Sequence, residues 1–94
     1  MNKKVYILGG GITGLACAYE LLKHGHSVEI IEKSSTVGGL ARTETWKGKP
    51  IDMGPHIYHT PDEDIKNYLL TEFEGLFYER DHWAKIYKNG QFYV

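Results

Sequence analysis

Lys4-Val5-Tyr6-Ile7-Leu8-Gly9-Gly10-Gly11-Ile12-Thr13-Gly14-Leu15 opens the chain, and Glu32 follows eighteen residues after the last of these glycines. Lys4 to Leu8 is a short, largely apolar run, the composition of a buried parallel strand. Thr13 to His24 has helical composition, with Leu15, Ala18, Leu21 and Leu22 on one face. Ser27 to Ile31 reads as a second strand ending at Glu32. Strand, glycine loop, helix, strand and acid form a dinucleotide-binding fingerprint in its full context. Gly9 permits the tight turn out of the strand. Gly11, without a Cβ, lets backbone approach a pyrophosphate, and Gly14 lets the helix pack near the strand. The helix start at Ile12 and Thr13 offers free N–H groups and a positive dipole end.

Glu32 stands where a carboxylate accepts hydrogen bonds from the hydroxyls of an adenosine ribose. It would repel a 2′-phosphate, and Lys33 is the only neighbouring cation. NADP is therefore disfavoured, while NAD and FAD both remain. Six residues past the acid comes Val37-Gly38-Gly39-Leu40-Ala41-Arg42-Thr43. Two adjacent residues without Cβ, then a cation, suit a second close approach of backbone to phosphate, with Arg42 available to pair it.

The glycine pattern, the acid and Val37-Gly38-Gly39-Leu40-Ala41-Arg42-Thr43 together resemble the N-terminus of the FAD-dependent amine oxidase, protoporphyrinogen oxidase and phytoene desaturase superfamily. Members often write the doublet as Arg-x-Gly-Gly-Arg; here Thr36 and Leu40 replace the arginines, a departure that fits the desaturase-like and mutase-like branches better than an amine oxidase proper. Asp52-Met53-Gly54-Pro55-His56-Ile57-Tyr58-His59-Thr60 is similar to a stretch of the UDP-galactopyranose mutases that passes beside the flavin ring. The resemblance covers roughly residues 3 to 70. It implies FAD as cofactor and a flavin-side place for Pro55 and His56, with His56 the candidate for a role next to the chemistry. On the same reading Gly9, Gly11, Gly14, Glu32, Gly39 and Arg42 hold the ADP half. Ile12, Thr13, Lys33, Gly38 and Leu40 belong to the same cofactor-binding set. No metal site is expected, because His56 and His59 lack an acid or cysteine partner in ligand spacing.

Ninety-four residues with a net charge of −1 make one domain at most and offer no surface for nucleic acid. The single cysteine, Cys17, is expected as a small buried packing residue of the glycine-loop helix. One cysteine gives no internal disulfide. The apolar run after Lys3 and Lys4 breaks at Gly9, and no apolar stretch approaches a membrane span, so a cytoplasmic location is expected.

Beyond the fingerprint, Thr43–Trp46 and Pro50–Met53 flank Lys47-Gly48-Lys49 as a short hairpin. Thr60-Pro61-Asp62-Glu63 reads as a helix start, with Thr60 as N-cap, Pro61 at the first helical position and Glu63 completing a capping box. Ile65, Tyr68, Leu69 and Phe73 continue it as an apolar stripe. Asn89-Gly90 between Trp83–Lys88 and Gln91–Val94 is a hairpin turn. Seven tyrosines, two tryptophans and three phenylalanines are many for this length.

The fold class expected is therefore α/β: a Rossmann-like βαβ dinucleotide-binding unit with a β-hairpin extension. The pattern stops within its last strand, and no later segment reads as a third parallel strand. The expectation is a fragment, residues 1–94, of a larger FAD-binding domain without its substrate domain, inactive alone and able to self-associate through exposed aromatics. The parent would be a flavoenzyme acting on a small molecule, by hydride removal or as a sugar mutase. A non-catalytic nucleotide-binding module, or an NAD-binding Rossmann protein, is the alternative.

Overall fold

A computed structural model describes residues 2–54, 58–81 and 84–93. The chain forms two compact units, Met1–Ile57 and Tyr58–Val94.

The first unit begins with β1 (Lys4–Leu8), crosses over through α1 (Ile12–Lys23) and returns as β2 (Ser27–Ile31). The two strands pair in parallel with Lys4 opposite Ser27 and Leu8 opposite Ile31. Gly9 N–H donates to the Ile31 carbonyl at 2.8 Å, carrying the ladder one step into the glycine loop. The crossover closes through a glycine in the left-handed region. Gly25, at φ +80°, lets the His26 N–H reach the Leu21 carbonyl and the Gly25 N–H reach that of Leu22, which ends α1 in a Schellman motif.

Burial corrects the expectation of a strand buried on both sides. Along β1 and β2 it alternates. Val5, Ile7, Val28 and Ile30 are half-buried, while Tyr6, Leu8 and Ile31 are 61%, 82% and 53% exposed. The alternation is the two-residue period of a strand with one face covered. Helix α1 lies on one face, and no element among the described residues of this unit covers the other. Ala18 is the only buried apolar residue among those described. Leu15 and Leu21 share its face half-buried, but Leu22 is 58% exposed and leaves the expected stripe.

A 3₁₀ turn, Gly39–Ala41, then leads into the hairpin β3 (Thr43–Trp46) and β4 (Lys49–Asp52). Its loop is two residues, not the three expected: Lys47 and Gly48 both have positive φ, +49° and +76°. Positive φ at both central positions is the type I′ geometry, whose twist matches that of the strands, so Lys49 joins β4 and Met53 falls outside it.

The second unit carries α2 (Glu63–Glu72) and a hairpin of β5 (Ile86–Lys88) with β6 (Gln91–Tyr93). The helix start differs from the expected capping box. Asp62, not Thr60, is the N-cap, accepting from the N–H groups of Asp64 and Ile65 at 2.9 and 3.2 Å. Thr60 instead accepts from the Asp62 N–H at 3.1 Å in a preceding turn. Aspartate is the stronger cap, and it places Pro61 before the helix instead of in its first turn. Asn89 and Gly90, at φ +52° and +78°, make a second type I′ turn, with Tyr87 and Phe92 paired across it at 5.0 Å. Residues Trp83 and Val94 of the expected hairpin lie outside the described residues. The stripe on α2 is only partly covered: Tyr68 meets Phe73 edge-on at 6.4 Å, while Ile65 is 43% exposed.

Candidate functional site

The glycine loop is held from two directions, and both meet at Gly10. Its N–H donates to Glu32 Oε1 at 2.9 Å, and its carbonyl accepts from the Gly38 N–H at 2.7 Å. Gly10 is buried. The loop after β1, the acid after β2 and the glycine doublet are therefore one assembly. Gly10 was not among the residues singled out from sequence, since the middle positions of the glycine pattern carry no rule of their own.

The glycines of this assembly divide by what a side chain would meet. A Cβ on Gly14 would stand 2.2 Å from the Gly9 carbonyl oxygen, and one on Gly39 would stand 3.1 Å from Gly11 Cα. Those two are glycine because backbone packs on backbone. A Cβ on Gly11 would meet nothing within 4 Å, and its backbone, φ −75° and ψ −176°, suits any residue. Packing among the described residues therefore gives no reason for a glycine there. Gly11 caps α1 without a side-chain bond, and the first intrahelical donor is the Leu15 N–H, to the Gly11 carbonyl. The N–H groups of Ile12, Thr13 and Gly14 precede it in the first turn, where an α-helix offers them no carbonyl of its own.

An open groove of about 570 Å³ runs beside this helix start, lined by Ile7, Leu8, Gly9, Gly11, Ile12, Thr13, Gly14, Cys17, Gly38, Leu40 and Ala41. Its size falls in the range of small-molecule sites. Cys17 is exposed and lines the groove, which corrects its expected role as a buried packing residue. The helix turns its small Ala18 to the sheet, and the neighbouring position then faces the groove.

Glu32 accepts two backbone hydrogen bonds, from Gly10 and, at 2.7 Å, from Ser34. These bonds, Gly10 first, hold its carboxyl below the usual glutamate range, against the opposing effect of desolvation. The Ser34 side chain adds a further hydrogen bond in the same sense; the carboxylate is thus charged at neutral pH, and Oε1, bonded to the Gly10 N–H, keeps a further acceptor direction. The ordering it provides is present above the ordinary carboxylate range and is lost as the pH falls through its lowered native value. The Gly10 and Ser34 amide resonances should therefore move together in acid, with a midpoint below that of an ordinary glutamate, about 4.3. In Glu32→Gln that transition should vanish. Resonances that titrate at the ordinary value, or unchanged in the variant, count against these bonds.

Arg42, expected to be available to pair a phosphate, is bonded to neighbouring groups of the chain. Its Nε donates to Glu44 Oε1 at 2.7 Å and its Nη1 to the Gly39 carbonyl at 2.9 Å, and it is not among the groove residues. Lys33 is exposed beside the acid. Pro55 and His56 lie outside the described residues; His59 is exposed. Among the described residues no cluster of histidine, cysteine, aspartate and glutamate is assembled for a metal ion, and no helix is long and apolar enough to cross a membrane.

The family model of the NAD(P)-binding Rossmann-like domain matches residues 7–72. The chain belongs to that family. Within the Rossmann-like family, 4,4′-diapophytoene desaturase (4,4′-diaponeurosporene-forming) of Staphylococcus aureus strain RF122 / ET3-1 is 42% identical over 92 residues, covering 83% of this chain and 18% of the desaturase. The desaturase of strain COL is 42% identical over 59 residues, covering 63% of this chain and 12% of its own length. Among solved structures, a triple mutant of putrescine oxidase from a structure-based redesign of its cofactor binding superposes with a TM-score of 0.58. It is 36% identical over 77% of this chain and 16% of the oxidase. The chain thus spans less than a fifth of the length of these relatives. These likenesses mark it as a segment of the FAD-binding amine oxidase and desaturase-like superfamily, whose cofactor is FAD. They agree with the Rossmann-like βαβ unit found here.

Proposed function

We propose that this segment binds the ADP half of FAD within an oxidoreductase. The carrying observation is Gly11, the loop glycine whose missing Cβ is explained by no contact among the described residues and which borders the groove at the start of α1. A pyrophosphate there would receive the Ile12, Thr13 and Gly14 N–H groups and the positive end of the helix dipole. Charged Glu32, fixed by Gly10 and Ser34, retains an acceptor direction for a ribose hydroxyl and would repel a 2′-phosphate.

Bound flavin supplies the acceptance of a hydride equivalent from a small-molecule substrate, and the protein supplies binding, orientation and electrostatics. The residues described here serve the binding side. Of the described groove lining only Thr13 and Cys17 carry polar side-chain atoms, so no acid–base pair is assembled among those residues. The desaturase and oxidase relatives favour hydride removal over the sugar-mutase reading, which rested on the stretch that includes Pro55 and His56. His56 beside the flavin belongs to that same proposal.

The test is competitive titration of the chain with FAD, ADP and NADP. FAD and ADP should compete for one site, and NADP should bind at least about tenfold more weakly, the cost of setting a phosphate against a carboxylate. NADP binding as tightly as FAD, or FAD binding that ADP does not displace, overturns the assignment.

A further inference from the structure

We propose that Arg42 is a positioning residue that braces the glycine doublet behind Gly11, and that Glu44 holds it in that task. The proposal rests on the ADP-binding reading above. Gly39 approaches Gly11 so closely that a Cβ on it would stand 3.1 Å from Gly11 Cα. The place of Gly39 therefore decides the place of Gly11. Three bonds fix that place. Gly38 N–H is tied to the Gly10 carbonyl. Arg42 Nη1 donates to the Gly39 carbonyl at 2.9 Å, and the Arg42 backbone N–H reaches the same oxygen at 3.3 Å. Glu44 then takes the Nε of the guanidinium at 2.7 Å.

A guanidinium is suited to this because its donors are held in one rigid fork. One edge grips the carbonyl of the doublet while Nε is anchored on β3, the strand that carries Glu44. An ammonium, a point charge, satisfies one partner or the other. The geometry also separates bracing from direct pairing with phosphate. A phosphate partner would be restrained by Glu44 and released when that carboxylate is removed. A brace would be weakened.

The experiment uses the chain itself, with ADP as the probe, and the variants Glu44→Ala, Arg42→Lys and Arg42→Gln. Glu44 is exposed and Arg42 half-buried, with side chains 54% and 30% accessible; the exposed Glu44 can be removed at little cost to the fold, and a circular dichroism melt of each variant will show whether the fold survives. Without ligand, Glu44→Ala should shift the Gly11 amide resonance, thirty-three positions away in sequence. Its ADP affinity should fall about fivefold, the scale of one lost hydrogen bond, with unchanged dependence on salt. Arg42→Lys should bind no better than Arg42→Gln. If Glu44→Ala instead binds ADP more tightly and with a steeper salt dependence, and lysine restores binding, Arg42 is a phosphate ligand and the brace is overturned. A wild-type chain that binds neither ADP nor FAD overturns the nucleotide reading; the ligand-free Gly11 shift then still decides the brace.

Discussion

Gly14→Ala should unfold the parallel unit, although alanine is the better helix former. Two effects oppose each other. Replacing a helical glycine by alanine favours the helix by about 1 kcal/mol. Against this, the new Cβ would stand 2.2 Å from the Gly9 carbonyl oxygen and 3.3 Å from Ile7 Cγ2. The nearer atom is backbone and belongs to the turn bonded to Ile31, so it has no rotamer by which to escape. Either α1 lifts from β1 or the Gly9–Ile31 bond breaks. Overpacking of this kind costs about 1–3 kcal/mol, and more where the neighbour is rigid. With Ala18 alone buried among the described apolar residues, little reserve is available to absorb it. Thermal denaturation followed by far-ultraviolet circular dichroism decides the matter. A variant that melts as cooperatively as wild type, at the same or a higher temperature, shows that the helix does not depend on this contact.

Gly11→Val should do the reverse, leaving the fold and removing the ligand. The φ and ψ of Gly11 are open to any residue, and its Cβ position is free of neighbours within 4 Å. The structural cost should stay within about 1 kcal/mol, the difference between a glycine and an aliphatic N-cap. The same branched side chain stands where backbone must meet pyrophosphate. FAD and ADP should bind at least about a hundredfold more weakly, or not measurably. The two glycines, three residues apart, thus separate packing from recognition. Normal affinity in Gly11→Val would make the loop a turn and nothing more.

The parallel unit was legible because its signals are local. An apolar run bounded by glycine, helical composition and a second run ending in an acid need only neighbouring residues, and β1 and β2 occupy the expected limits. The reason for Gly14 was legible too, since a helix leaving a strand at that distance leaves no room for a Cβ. Other features depend on contacts the sequence does not spell out. The helical period already puts Ala18 on the sheet side of α1, but whether its small neighbour Cys17 is covered depends on what packs beside the helix, which the sequence does not show. Arg42 reads as a phosphate partner, and its bonds to Glu44 and to the Gly39 carbonyl follow from side-chain geometry that no spacing rule spells out. Thr60 and Asp62 are both good caps, and the backbone took the one that keeps Pro61 out of the first turn. The one-sided burial of β1 escaped because an apolar strand looks the same in sequence whether one of its faces is covered or both.

That bare face has a consequence for the lifetime of the chain. A unit that removes so little apolar surface from water has a small gap between its closed and open forms, and proteases cut the open one. A dinucleotide that binds only the closed form widens the gap by RT ln(1 + [L]/Kd), about 2.7 kcal/mol when its concentration is a hundred times Kd. The rate at which a protease degrades this segment on its own should then follow the supply of cofactor, and the glycine loop would set the persistence of the isolated segment as well as its affinity.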